Sequence, residues 1–106
     1  YQERVLRMTL SVQSRDFEIT ANLFSHTQQE TKHLTERFPH LSQILVRLKR
    51  QGSSHVADVV VQGKKTRLQV EASSTNMYQA IHQARLKAER RLNRLYDAQF
   101  RFGNHA

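Results

Sequence analysis

The sequence predicts an α+β domain of order β-α-β-β-β-α, in which a four-stranded mixed sheet carries two helices on one face. Three observations predict it. Period-two alternation recurs in four short segments, two long stretches repeat at helical spacing, and Gly or Ser clusters stand between the last three strands. At 106 residues, with no cysteine, one proline and three glycines, the chain is read as a single domain over residues 1–106. With 38% hydrophobic residues it can build a modest core but has little apolar area to spare for a deep ligand cavity.

The first strand is predicted over Val5 to Val12, where Leu6, Met8, Leu10 and Val12 alternate with Val5, Arg7, Thr9 and Ser11. Thr20 stands at an N-cap position, its hydroxyl able to accept from the next turn, and a helix should run from Ala21 to Arg37 and end at Pro39. That helix has a thin apolar side. Leu23, Phe24, Leu34 and Phe38 are helically spaced, but Thr27 and Thr31 hold the inward positions between them. Ser42 to Arg50 alternates again, with Ile44, Val46 and Leu48 opposite Leu45, Arg47 and Lys49. Turns at Gly52-Ser53-Ser54 and Gly63-Lys64-Lys65 bracket a strand from Val56 to Gln62 and lead to another from Thr66 to Ala72. Ser73 to Asn76 offers several N-caps for a second helix from Met77 to about Phe100, which leaves Arg101 to Ala106 as a frayed tail. A strand, helix, strand connection makes the first two strands parallel neighbours, and hairpins make the remaining pairs antiparallel.

Seventeen Lys and Arg against nine Asp and Glu give a net charge of +8, so the expected partner is a polyanion. No apolar run would cross a bilayer, and Tyr1-Gln2-Glu3-Arg4 has neither a signal peptide's apolar stretch nor an initiating Met, so residues are expected to be missing at this end. The absence of cysteine removes thiolate metal sites and thiol nucleophiles and suits a reducing compartment, with cytoplasm as the expected location.

The charge has a pattern. At 100° per residue, Met77, Ile81, Ala84, Ala88, Leu92 and Leu95 share the sector of the second helix that must face the sheet. Lys87, Arg90, Arg91 and Arg94 share a neighbouring sector, centred about 110° away. Solvated faces usually mix signs, whereas between Arg85 and Arg94 five cations, Arg85 included, meet only Glu89. A basic stripe of this kind tracks phosphates. Lys64 and Lys65 at a hairpin tip either touch a phosphate or keep the turn wet. Tyr78 is a candidate for stacking on a base, although packing at the edge of the core is the favoured reading. Arg7, Arg47, Lys49 and Arg67 fall on the sheet face away from the helices, where polar residues are needed in any case. Tyr96 and Phe100, one turn apart, read as a terminal packing pair.

Enzyme signals are weak. His26, Glu30 and His33 share a helical face, but they lack the HExxH order, and no metal or cofactor is expected. Neither a Gly-rich phosphate loop nor a nucleophile elbow occurs.

Met77-Tyr78-Gln79-Ala80-Ile81, followed by Lys87, Glu89, Arg90 and Leu92, resembles the start of the last helix in the ribosome hibernation promoting factors, or ribosome-associated inhibitors, where Met-Tyr-Ala-Ala-Ile is usual. Phe17-Glu18-Ile19-Thr20, with Leu23, Leu34 and Phe38, is similar to the family's first-helix entry. The chain departs from the family where acidic residues before the Met are Ser73 to Asn76, where His82 replaces an Asp, where Asn93 replaces a basic residue, and where Thr27 and Thr31 replace aliphatics. The resemblance implies a non-enzymatic stress factor that occupies the decoding channel of the small ribosomal subunit and inhibits translation. It also implies ribosomal RNA as partner, without a membrane or a small-molecule substrate, and a monomer when free. Lys87, Arg90, Arg91, Arg94, Arg85, Tyr78, Lys64 and Lys65 are the expected RNA-binding residues. The alternatives are a general double-stranded RNA-binding domain and a protein-interaction module with incidental basic charge, with a nuclease third.

Overall fold

The computed structural model describes residues 2–6 and 10–103. In chain order the elements are β1 (Gln2–Leu6), β2 (Leu10–Ser14), α1 (Ala21–Arg37), β3 (Leu41–Gln51), β4 (Ser54–Gly63), β5 (Thr66–Ser74) and α2 (Met77–Gly103). The expected β-α-β-β-β-α order is present as β2, α1, β3, β4, β5 and α2. The mixed sheet of those four strands is extended by β1, giving the spatial order β1-β2-β3-β4-β5. β2 and β3 are parallel, joined through α1, and every other pair is antiparallel.

The single strand expected over Val5 to Val12 is corrected to two. The chain reverses between Leu6 and Leu10, which pair with each other across the hairpin. Alternation continues on both sides of the reversal, and Arg7-Met8-Thr9 carries no Gly, Pro, Asn or Asp to announce a turn, so the pattern read as one strand. Arg7, Met8 and Thr9 themselves lie outside the described residues.

The register puts Ile44, Val46 and Leu48 of β3 beside Val61, Val59 and Ala57 of β4, and these beside Leu68, Val70 and Ala72 of β5. This is the face that the helices cover. Met77, Ala80, Ile81, Ala84, Ala88 and Leu92 of α2 pack on it with Leu23, Leu34 and Phe38 from α1 and the turn after it. Burial of these side chains, each worth roughly 1.5 to 3 kcal/mol for the larger aliphatics, is what holds two otherwise polar helices to the sheet. Thr20 caps α1 as expected, accepting from the Leu23 amide at 3.1 Å. The thin apolar side of α1 is closed differently from an aliphatic one. Thr27 and Thr31 are buried and donate their hydroxyl protons one turn back, to the carbonyls of Leu23 and Thr27 at 2.8 and 2.9 Å. Asn76 is the cap selected for α2, accepting from the Tyr78 amide at 2.8 Å.

α2 extends to Gly103, beyond the expected end near Phe100, so the expected frayed tail is helical over 101–103, while 104–106 lie outside the described residues. Leu95, expected inward, is 41% exposed. Tyr96 packs on Phe38 and His40 with its hydroxyl hydrogen-bonded to His40 Nδ1. Its expected packing against Phe100 involves a side chain outside those described.

Candidate nucleic-acid interface

α2 returns antiparallel along β5, the edge strand of the sheet, and the cleft between them is basic. Lys87, Arg90, Arg91 and Arg94 line it opposite Gln69, Val70 and Glu71, and Arg67 with Leu68 and Leu95 continues it toward the β4-β5 hairpin. The stripe read from helical spacing is therefore one wall of a groove, with the β5 edge as the other.

Two of the four stripe cations have main-chain partners. An edge strand leaves alternate carbonyls unpaired. Lys87 Nζ donates to the Glu71 carbonyl at 2.8 Å, and an Arg91 guanidinium nitrogen donates to the Gln69 carbonyl at 3.0 Å. These bonds fix the two side chains along the groove and leave further N–H groups of each free to donate. Arg90 and Arg94 are exposed beside them.

Lys64 and Lys65 form the hairpin tip two positions beyond Arg67, at the groove's far end, and both are exposed. Lys65 holds a left-handed backbone conformation with φ of 60°. A residue with a Cβ is strained there by roughly 1 to 2 kcal/mol, where glycine would not be.

The structure separates Arg85 and Tyr78 from the others. With His82 and Glu89 they lie on the flank of α2 that faces α1, about 180° around the helix from the stripe. Arg85 is 12% exposed in its side chain, with Nε on Glu30 at 2.9 Å and a terminal nitrogen on Glu89 at 3.1 Å. Arg37 reaches Glu89 from α1 at 3.4 Å, and His82 Nδ1 lies 3.1 Å from Glu30. Burial pushes the Glu30 carboxyl up, but the hydrogen bonds and charges of Arg85 and His82 outweigh it and hold the group below its ordinary value. Tyr78 is 40% exposed and meets His26 edge to face, with ring centroids 5.0 Å apart, while its carbonyl lies 3.0 Å from His26 Nε2. Glu30 and His26, considered for a metal, are thus engaged in the seam between the helices.

On the open sheet face Arg47 lies 3.6 Å from Asp58, which also accepts from Gln69 at 2.9 Å. That face mixes signs, as a solvated sheet does. Arg67 is the residue that sequence reasoning assigned elsewhere. Its strand register places it on this face, but as an edge residue it also borders the groove.

The family model for "Sigma 54 modulation protein / S30EA ribosomal protein" matches residues 10–99. The chain belongs to that family. Hibernation promoting factors, which the start of α2 resembles, are part of the same group, so the resemblance is borne out. Among solved structures, the chain is similar to one described as a ribosomal subunit interface protein from Coxiella burnetii, at 19% identity with a TM-score of 0.79, covering 86% of this chain and 99% of that one. It is also similar to the N-terminal domain of Thermus thermophilus Protein Y, at 21% identity with a TM-score of 0.74, covering 85% of this chain and 99% of that one. At these identities the likeness is one of fold. No curated protein sequence matches the chain. Among the described residues no helix is long and apolar enough to cross a membrane.

Proposed function

We propose that the chain is a non-enzymatic ribosome-binding factor that engages ribosomal RNA of the small subunit through the groove between α2 and β5, occupies the decoding channel and so inhibits translation. The observation that carries this reading is the groove itself, where Arg67, Lys87, Arg90, Arg91 and Arg94 converge on one elongated cleft. A phosphate chain supplies charge at a regular spacing, which a row of cations about one helical turn apart can meet. Lys64 and Lys65 extend the row. Membership of a family described in part as ribosomal protein, and likeness in fold to a ribosomal subunit interface protein, support the choice of ribosomal over other RNA. Inhibition by occupancy needs no catalytic group or cofactor, and one copy suffices.

Cosedimentation with purified small and large subunits across a salt series tests the reading. Small subunits should retain the protein, and log affinity should fall linearly with log salt at a slope of roughly −3 to −6, as four to seven neutralised phosphates require. Replacing Lys87, Arg90 and Arg94 by Ala should flatten that slope by about two to three units, whereas replacing Arg47, Lys49 and Arg50, an equal change in net charge, should do far less. A slope near zero, equal losses from the two triples, or full displacement by duplex RNA would overturn it.

A further inference from the structure

α2 outruns the sheet on which it packs. Its 27 residues span about 40 Å, while the nine residues of β5 span about 30 Å. Burial along its sheet-facing sector is already broken at Leu95. This residue lies in the same helical sector as Met77, Ala84, Ala88 and Leu92, all at most 6% exposed, yet Leu95 is 41% exposed. Half-buried Leu68 of β5 lies beside it, and Arg67, Arg91 and Arg94 surround the pair, forming an open recess of about 340 Å³ at the hairpin end of the groove. That is the small end of the range for ligand clefts.

The composition of this recess narrows what fits. Three guanidiniums oppose a second copy of a chain that carries +8. Phosphate alone would use the arginines and leave the leucines wet. A nucleotide matches both halves, since its base offers a flat, weakly hydrated face and its flanking phosphates offer charge. We propose that the recess holds one unstacked nucleobase of a bound RNA, with the face of the base against Leu68 and Leu95 and the adjoining phosphates on Arg91 and Arg94. Arg91 is already steadied by its bond to the Gln69 carbonyl, so little side-chain freedom is lost on binding. Arg67 stands where its planar guanidinium can stack on the base or bond its edge.

The proposal rests on the reading of the groove as an RNA interface, and the test separates the two. Fluorescence anisotropy would compare a single-stranded RNA dodecamer with the same chain made entirely of abasic ribose phosphates, at several salt concentrations. The wild-type protein should prefer the base-bearing chain by about 5- to 10-fold. Leu95→Ala should abolish most of that preference without changing the salt slope, and Leu68→Ala should act in the same direction. Because Leu95 is exposed, its replacement should leave the circular dichroism spectrum unchanged. Equal affinity for the two chains with a steep salt slope would overturn the recess and spare the groove. Failure to bind either chain at any salt would overturn both.

Discussion

The Lys87 ammonium donates to the main-chain carbonyl of Glu71 at 2.8 Å, so a cation of the exposed stripe is also a seal on the open edge of the sheet. Arg91 does the same for Gln69. Unpaired edge carbonyls invite a strand from another molecule, and covering them with charge discourages it. The double variant Lys87→Ala/Arg91→Ala should therefore self-associate, detected as a concentration-dependent rise in sedimentation coefficient. Arg90→Ala/Arg94→Ala loses the same charge but uncovers no carbonyl, and should stay at the wild-type value. Equal association of both would assign the effect to net charge.

Lys65 holds its strained conformation with a side chain that glycine lacks. Lys65→Gly removes the strain of roughly 1 to 2 kcal/mol but adds unfolded-state freedom worth about 0.5 to 1, so stability should rise by up to about 1.5 kcal/mol. Affinity for small subunits should fall at the same time, with the salt slope reduced by about one unit. Chemical denaturation and the salt series together check this, and a variant that is more stable with unchanged binding would remove the hairpin tip from the interface.

Glu30 ties stability to pH. Its carboxyl is held below the ordinary value near 4.5, because Arg85 and His82 outweigh the cost of burial. A group whose folded value is lowered stabilises fully above its unfolded value and loses that contribution as pH falls through the folded one. Between about pH 5 and pH 3 the stability advantage of wild type over Glu30→Gln should shrink steadily as pH falls. Urea titrations at four pH values would show it, and a difference independent of pH would refute it.

Thr27 is buried with its hydroxyl bonded to a carbonyl that already serves the helix. Thr27→Val keeps the branched shape and removes the polar atom, so stability should be unchanged or higher by up to about 1 kcal/mol. Thr27→Ser keeps the hydroxyl and removes a methyl, at a cost of about 1 kcal/mol. Thermal melts that rank serine above valine would contradict this account.

The elements legible in the sequence are those whose signal is local. The bounds of α1 follow from Thr20 and Pro39, the faces of β3 from strict alternation, and the four stripe positions on α2 from spacing. That Arg85 is ion-paired was not legible, because its partner Glu30 lies 55 residues away, and a helical wheel records sign without recording who neutralises it. Arg67 could have been joined to the stripe by noting that a helix returning from the end of β5 must run back past it. Leu95 shares the inward phase of Leu92 yet is exposed, and phase carries no record of which neighbouring side chains reach far enough to cover a position. The hairpin between β1 and β2 left no turn residue to read.

The seam between α1 and α2 has an effect at distances where nothing touches. Glu30 and Glu89 are paired with Arg37 and Arg85 along that flank, while in the groove on the other side of α2 four cations of the helix meet one acid, Glu71. Acid pairing on one flank of α2 and its scarcity on the other leave a local excess of positive charge along the groove. In the field of a polyanion the protein is turned before it arrives, with the groove leading, so that more of its encounters begin in a productive orientation. Salt that shortens the reach of this field to about 8 Å would slow the approach before it weakens the complex.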